Sequence, residues 1–74
     1  MAHKTAKEAA EAAAKNNWKR VGRDADEETL YSDGSYYYSR DRTQHKGGAW
    51  KMWRNGNGTG RMGTLDRDLN RIGD

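Results

Sequence analysis

Seventy-four residues with 14 Lys/Arg against 11 Asp/Glu, and without Cys, Pro or Phe, exclude several classes of protein at once. The length allows one small domain that buries only about 60% of its unfolded surface. The missing cysteines rule out a disulfide framework, a thiol nucleophile and a Cys-based zinc site, and no apolar run approaches the roughly 20 residues of a membrane span.

The net charge of +3 is unevenly spread. Residues 1–38 carry six Lys/Arg against seven Asp/Glu, a balance of −1, and residues 39–74 carry eight against four, a balance of +4. A basic face on a small domain is the electrostatic footprint of nucleic-acid binding. The aromatic residues are Tyr and Trp alone, so the core is expected to be thin and built from rings that keep a polar handle. No secretory signal is visible. The abrupt passage from Met1-Ala2-His3-Lys4 into an Ala-rich stretch reads as a piece excised from a longer protein.

In chain order, Thr5-Ala6-Lys7-Glu8 is a capping-box pattern, and the Ala, Lys and Glu that follow are strong helix formers. Ala6, Ala10, Ala14, Trp18 and Val21 fall on one helical face, which predicts a helix stopped by Gly22 and anchored by Trp18 and Val21. Asp24, Asp26, Glu27 and Glu28 read as a solvated connector rather than a metal cluster. The spacing then changes to strands. Thr29–Ser32 and Ser35–Ser39 flank Asp33-Gly34, a type I′ hairpin signal, with Tyr36 and Tyr38 on one face and Tyr37 on the other. Ala49–Arg54 alternates, with Trp50 and Met52 on one side and Ala49, Lys51 and Trp53 on the other. Asn55–Gly60 is a glycine-rich turn that precedes no helix, so it is no phosphate loop. Arg61–Leu65 and Arg71–Gly73 close the chain as short strands. The fold class is therefore α+β: an N-terminal Ala-rich helix followed by a small, strongly twisted antiparallel meander of four or five strands. Residues 1–28 form the helix and charged connector, and residues 29–74 form the sheet core of a single domain.

Between the Tyr-rich strand and the Trp-rich strand lies Ser39-Arg40-Asp41-Arg42-Thr43-Gln44-His45-Lys46-Gly47-Gly48. Cleavage of a phosphodiester needs a group that takes the 2′-OH proton, one that protonates the leaving 5′-oxygen, and cations for the charge developing on phosphorus. His45 suits proton transfer because the ordinary histidine pKa lies near 6.5. Asp41 can act as base or orient the imidazole. Lys51 is the cation of most interest, and Arg40, Arg42, Lys46, Trp53, Arg54 and Arg61 are candidate RNA contacts. A zinc site lacks ligands, and no Ser–His pairing has a recognisable context. Neither metal nor cofactor is expected.

The run Tyr36–Trp53, continued by Arg61-Met62-Gly63-Thr64-Leu65-Asp66 and Arg71-Ile72-Gly73, resembles the C-terminal toxin domains of bacterial polymorphic toxins of the contact-dependent-inhibition and Rhs/WapA types. Its layout is similar to that of the ribosome-cleaving colicins. The resemblance covers residues 29–74 and implies a ribonuclease carried at the end of a larger toxin and acting in the cytoplasm of a target bacterium. Ribosomal 16S RNA is the first expected substrate and tRNA the next, and a cognate immunity protein, expected to be acidic, holds the toxin inactive. Asp41 and His45 carry over from the family pattern, and Lys51 matches a basic residue that follows the histidine in some relatives. The colicins place Asp and His three apart, against four here, and carry a glutamate where this chain has Ala49. Their C-terminal arginine has no match. Without that glutamate, Asp41 has to act as the base or the mechanism differs from that of the colicins. The alternative is a basic module without catalysis that binds single strands by stacking bases on Tyr and Trp.

Overall fold

The computed structural model describes residues 5–44 and 47–73. Helix α1 (Ala6–Lys15) begins as the sequence predicts, with the Thr5 hydroxyl accepting from the Glu8 N–H at 3.1 Å and the Glu8 carboxylate accepting from the Thr5 N–H at 3.2 Å. It stops earlier than expected. Asn17 takes a left-handed conformation (φ 60), the Asn17 N–H donates to the Ala14 carbonyl, and the Trp18 N–H donates to the Ala13 carbonyl. This is the Schellman ending, with asparagine where glycine is usual. The buried face of the helix is Ala9 and Ala13 rather than the predicted Ala6, Ala10 and Ala14, which are exposed.

Six strands follow: β1 (Lys19–Arg23), β2 (Thr29–Ser32), β3 (Tyr37–Arg40), β4 (Trp50–Asn55), β5 (Thr59–Leu65) and β6 (Arg71–Gly73). They pair antiparallel in chain order β1-β2-β3-β4-β5-β6, so the meander is as expected but has six strands rather than four or five. The additional strand is β1, which the sequence reading had absorbed into the helix. Its residues are nearly all exposed because it is an edge strand without an apolar inner face, and its Lys19, Arg20 and Arg23 suit an edge that must not aggregate. Val21 sits there 49% exposed and anchors nothing. The hairpin between β2 and β3 also differs. Ser32 pairs with Tyr37, so the loop has four residues, and the Asp33 carboxylate organises it by accepting the N–H groups of Ser35 and Tyr36 and the Tyr38 hydroxyl.

The helix covers one face of the sheet. Ala9 and Ala13 pack into a cluster with Tyr31, Tyr38, Ala49, Trp50 and Leu65. Trp18 locks the two layers together, stacking on Tyr38 with ring centroids 4.1 Å apart and meeting Trp50 edge-on at 5.0 Å. The core is aromatic, as the composition requires. It occupies the Trp50/Met52 side of β4, which leaves Lys51 and Trp53 on the face away from the helix.

Candidate functional site

On that second face the register forms one rung from Ser39, Lys51 and Thr64, and a neighbouring rung from Tyr37, Trp53 and Arg61. Arg61 reaches the face through a bulge. Met52 pairs with Gly63 and Trp53 with Arg61, so β5 uses one additional residue, Met62. Without that irregularity the period-two alternation would turn Arg61 to the opposite side. As it is, the guanidinium lies 5.3 Å from the Trp53 ring centroid and is held by the Gly63 carbonyl at 3.1 Å and the Thr64 hydroxyl at 2.7 Å. Lys51 approaches the same ring at 5.8 Å, while the indole N–H of Trp53 donates to Ser39 Oγ at 2.9 Å. Trp53 therefore has two cations against its ring, and it is half-buried and oriented by a fully buried serine.

The loop between β1 and β2 folds over this face. Lys51 Nζ lies 3.2 Å from an Asp24 carboxylate oxygen and 3.2 Å from one of Asp26. The two aspartates differ in environment. The Asp24 side chain is 1% exposed and that of Asp26 70%. Asp24 also builds the loop, its Oδ1 accepting the N–H groups of Asp26 at 2.9 Å and Glu28 at 3.0 Å. This corrects the reading of residues 24–28 as a solvated connector: Asp24 is buried, and Glu28 is paired with Arg40 at 3.1 Å and Arg42 at 3.4 Å. A stretch dense in carboxylates looks solvated until its cations, far along the chain, are brought beside it. Burial pushes the Asp24 carboxyl up, but the Ser39 hydrogen bond, the Glu28 N–H and the Lys51 ammonium together hold it below the ordinary carboxylate range.

Glycine is required where this loop meets the β4–β5 turn. A Cβ on Gly58, which has φ +74, would sit 2.8 Å from the Asp24 Cβ and 2.9 Å from its Cα. Gly58→Ala is expected to cost about 1–3 kcal/mol from backbone strain, with the steric clash added to it. A urea unfolding series read against wild type checks the value.

Acid sensitivity follows from the carboxylates. Asp24, Asp33 and Asp66 are all held below the usual Asp range. For Asp33, burial opposes the shift, and the Tyr36 and Ser35 N–H groups and the Tyr38 hydroxyl outweigh it. For Asp66 the leading cause is the Asn70 N–H. A depressed carboxyl stabilises the fold above its unfolded pKa, and that contribution is lost as pH falls through the folded value. The melting temperature is therefore expected to lose these contributions only below about pH 4, the ordinary Asp value, and a scan from about pH 6 to 2 reads it. Asp33→Asn should make the fall shallower.

The sequence-predicted residues divide into groups. Lys51, Trp53 and Arg61 come together on the face just described. Arg40 points to the helix side, where it lines a small hollow with Ala6, Ala9, Glu28, Thr29 and Tyr31. Arg42 and Arg54 are exposed. Asp41 is buried at the end of the β3–β4 pairing, where its N–H donates to the Ala49 carbonyl at 2.9 Å. Its carboxylate accepts the Thr43 hydroxyl at 2.8 Å and N–H at 3.2 Å, so the carboxylates on Lys51 are Asp24 and Asp26 rather than Asp41. His45 and Lys46 lie outside the described residues. The sequence reading missed Asp24, Asp26, Ser39 and Thr64; the alternation that places Lys51 also places Ser39 and Thr64 beside it once the strands are paired. Among the described residues no group of three or more His, Cys, Asp or Glu is placed to hold a metal ion, and no helix is long and apolar enough to cross a membrane.

Comparison with curated proteins and with solved structures gives no match. The family model of Ntox21, described as Novel toxin 21, matches residues 11–74, which takes in the second half of α1, the whole sheet and every residue of the face built on Lys51. The chain belongs to the Ntox21 family and is a bacterial polymorphic toxin domain.

Proposed function

We propose that this toxin domain is a metal-independent RNA endonuclease. The observation that carries the reading is one sheet face on which Lys51 and Arg61 both approach the Trp53 ring, in a family of toxins. Aromatic rings stack on unpaired bases while neighbouring cations hold the backbone, and fixed cations stabilise charge developing on a phosphoryl group.

In the proposed reaction the 2′-OH gives its proton to a base, O2′ attacks phosphorus and the P–O5′ bond breaks. A protonated group then supplies a proton to the departing O5′. The products are a 2′,3′-cyclic phosphate and a free 5′-OH. Asp41 and His45 are the proton-transfer pair in this scheme, with Asp41 as base or as the group that orients the imidazole. Lys51 steadies the phosphorane. Trp53 and Arg61 are the proposed RNA contacts on the Lys51 face, with Arg42, Lys46 and Arg54 as further proposed contacts. Arg40, turned to the helix side, would meet RNA only away from that face. Ribosomal 16S RNA is the favoured substrate, followed by tRNA. The domain would be delivered as the C-terminal part of a larger toxin into the cytoplasm of target bacteria. An acidic immunity protein laid over the face that carries Lys51, Trp53 and Arg61 would neutralise it in the producing cell, its carboxylates taking the place of RNA phosphates.

Incubation with purified ribosomes and with tRNA, in the presence of a chelator, followed by mapping of the cut ends, tests this reading. Discrete cuts ending in cyclic phosphate are expected. Binding of RNA without any cut would overturn the enzyme and leave the stacking module, which the placement of two cations against Trp53 also supports.

A further inference from the structure

The two carboxylates on Lys51 have different roles. Asp24 is enclosed, contributes two hydrogen bonds to the shape of its own loop and packs against Gly58. Asp26 reaches the same ammonium from solvent, and among the described residues its carboxylate has no other partner. The loop does not depend on it, being fixed by Asp24 Oδ1 and by the Arg23 guanidinium donating to the Glu27 carbonyl at 2.9 Å. One ammonium and two carboxylates carry a net −1, a charge that repels a phosphate as long as both acids stay in place.

Resting on the reading of this face as an RNA-cleaving surface, we propose that the Asp26 carboxylate is an internal stand-in for a backbone phosphodiester of the RNA, occupying the exposed side of Lys51 until the substrate displaces it. The exchange conserves charge, since a phosphodiester and a carboxylate each bring −1, so Asp24 and Lys51 meet the same electrostatic load before and after. It also conserves chemistry, because both groups offer anionic oxygen acceptors to the ammonium. A phosphate in that position lies beside Trp53, where the attached base can stack, and near Arg61, whose guanidinium lies 5.3 Å from the same ring. Asp24 remains throughout, holding Lys51 upright under the incoming strand. Asp26 thus weakens binding of every anion at Lys51 and sets a threshold that weakly bound anions do not pass.

The test compares Asp26→Asn with Glu27→Gln, which removes the same charge from the same exposed loop without touching Lys51. Binding of an all-2′-deoxy oligonucleotide, which cannot be cut by 2′-OH attack, and of inorganic phosphate is measured for wild type and both variants, with RNA cleavage assayed in parallel. Releasing a half-exposed ion pair should tighten oligonucleotide binding by Asp26→Asn about two- to fivefold, beyond any gain from Glu27→Gln, and lower KM for RNA. Equal gains in the two variants would reduce the effect to net charge and overturn the proposal, even if wild type cuts RNA. Tighter binding of inorganic phosphate but not of the strand would overturn the backbone phosphodiester as the displacing group. Tighter strand binding by Asp26→Asn in a protein that cuts no RNA would uphold the stand-in and refute the ribonuclease.

Discussion

Trp50→Ala is expected to remove a large share of the domain's stability. Trp50 is fully buried and sits at the centre of the aromatic cluster, edge-on to Trp18 at 5.0 Å and to Tyr31 at 6.0 Å. Truncating a buried tryptophan costs about 3–5 kcal/mol through lost transfer energy and the cavity left behind. At about 0.05–0.15 kcal/mol per residue, a chain of this length has a total stability of only about 4–11 kcal/mol. The methyl groups of Ala9 and Ala13 that face the cluster are too small to collapse into the space. Reduced near-ultraviolet ellipticity and a urea transition moved to lower concentration would show the effect. Trp50→Phe, which retains a ring, should restore part of the loss.

The second large effect lies on the opposite face. Lys51→Met removes the ammonium from Asp24, a carboxylate that is 4% exposed as a residue, and leaves a buried charge without its counter-ion. Breaking a buried pair from one side costs about 3–5 kcal/mol, because the orphaned charge keeps its desolvation penalty. The loss should be recovered in large part by adding Asp24→Asn, which removes the orphaned charge, and a double-mutant cycle isolates that coupling. The pH dependence gives an independent reading. In Lys51→Met, protonating Asp24 relieves the unpaired charge, so the stability gap to wild type should narrow as pH falls toward about 4. A cleavage assay on Lys51 variants is therefore interpretable only beside a melt, since loss of activity and loss of fold share this residue.

Much of this arrangement was legible in the amino-acid sequence, for definite physical reasons. The capping box at Thr5 and Glu8 is a local pattern, and it formed as read. The alternation along β4 was equally local, and it separated Trp50 and Met52 from Lys51 and Trp53 correctly. Ala49, however, expected beside Lys51, precedes the strand and is buried in the cluster with Trp50. What escaped depends on partners distant in the chain. Strand β1 has no apolar alternation, because as an edge strand it buries almost nothing, and only its pairing with β2 makes it a strand. The helix end turns on Asn17 adopting a left-handed conformation, which asparagine tolerates better than other non-glycine residues but does not announce. Asp24 looked solvated because Lys51 and Ser39, which keep it charged in a buried position, come much later in the sequence. The Met62 bulge that puts Arg61 beside Trp53 follows from sheet register, a property of two strands together and of neither alone.

The proposed chemistry concentrates on the segment between β3 and β4, and one substitution there separates catalysis from binding. His45→Ala should reduce RNA cleavage by about 10²–10⁴-fold, the usual contribution of a general acid or base, while affinity for an uncleavable strand stays at the wild-type value. Both quantities are to be measured on the same preparations, with a melt to confirm the fold. Undiminished cleavage by His45→Ala would contradict the account.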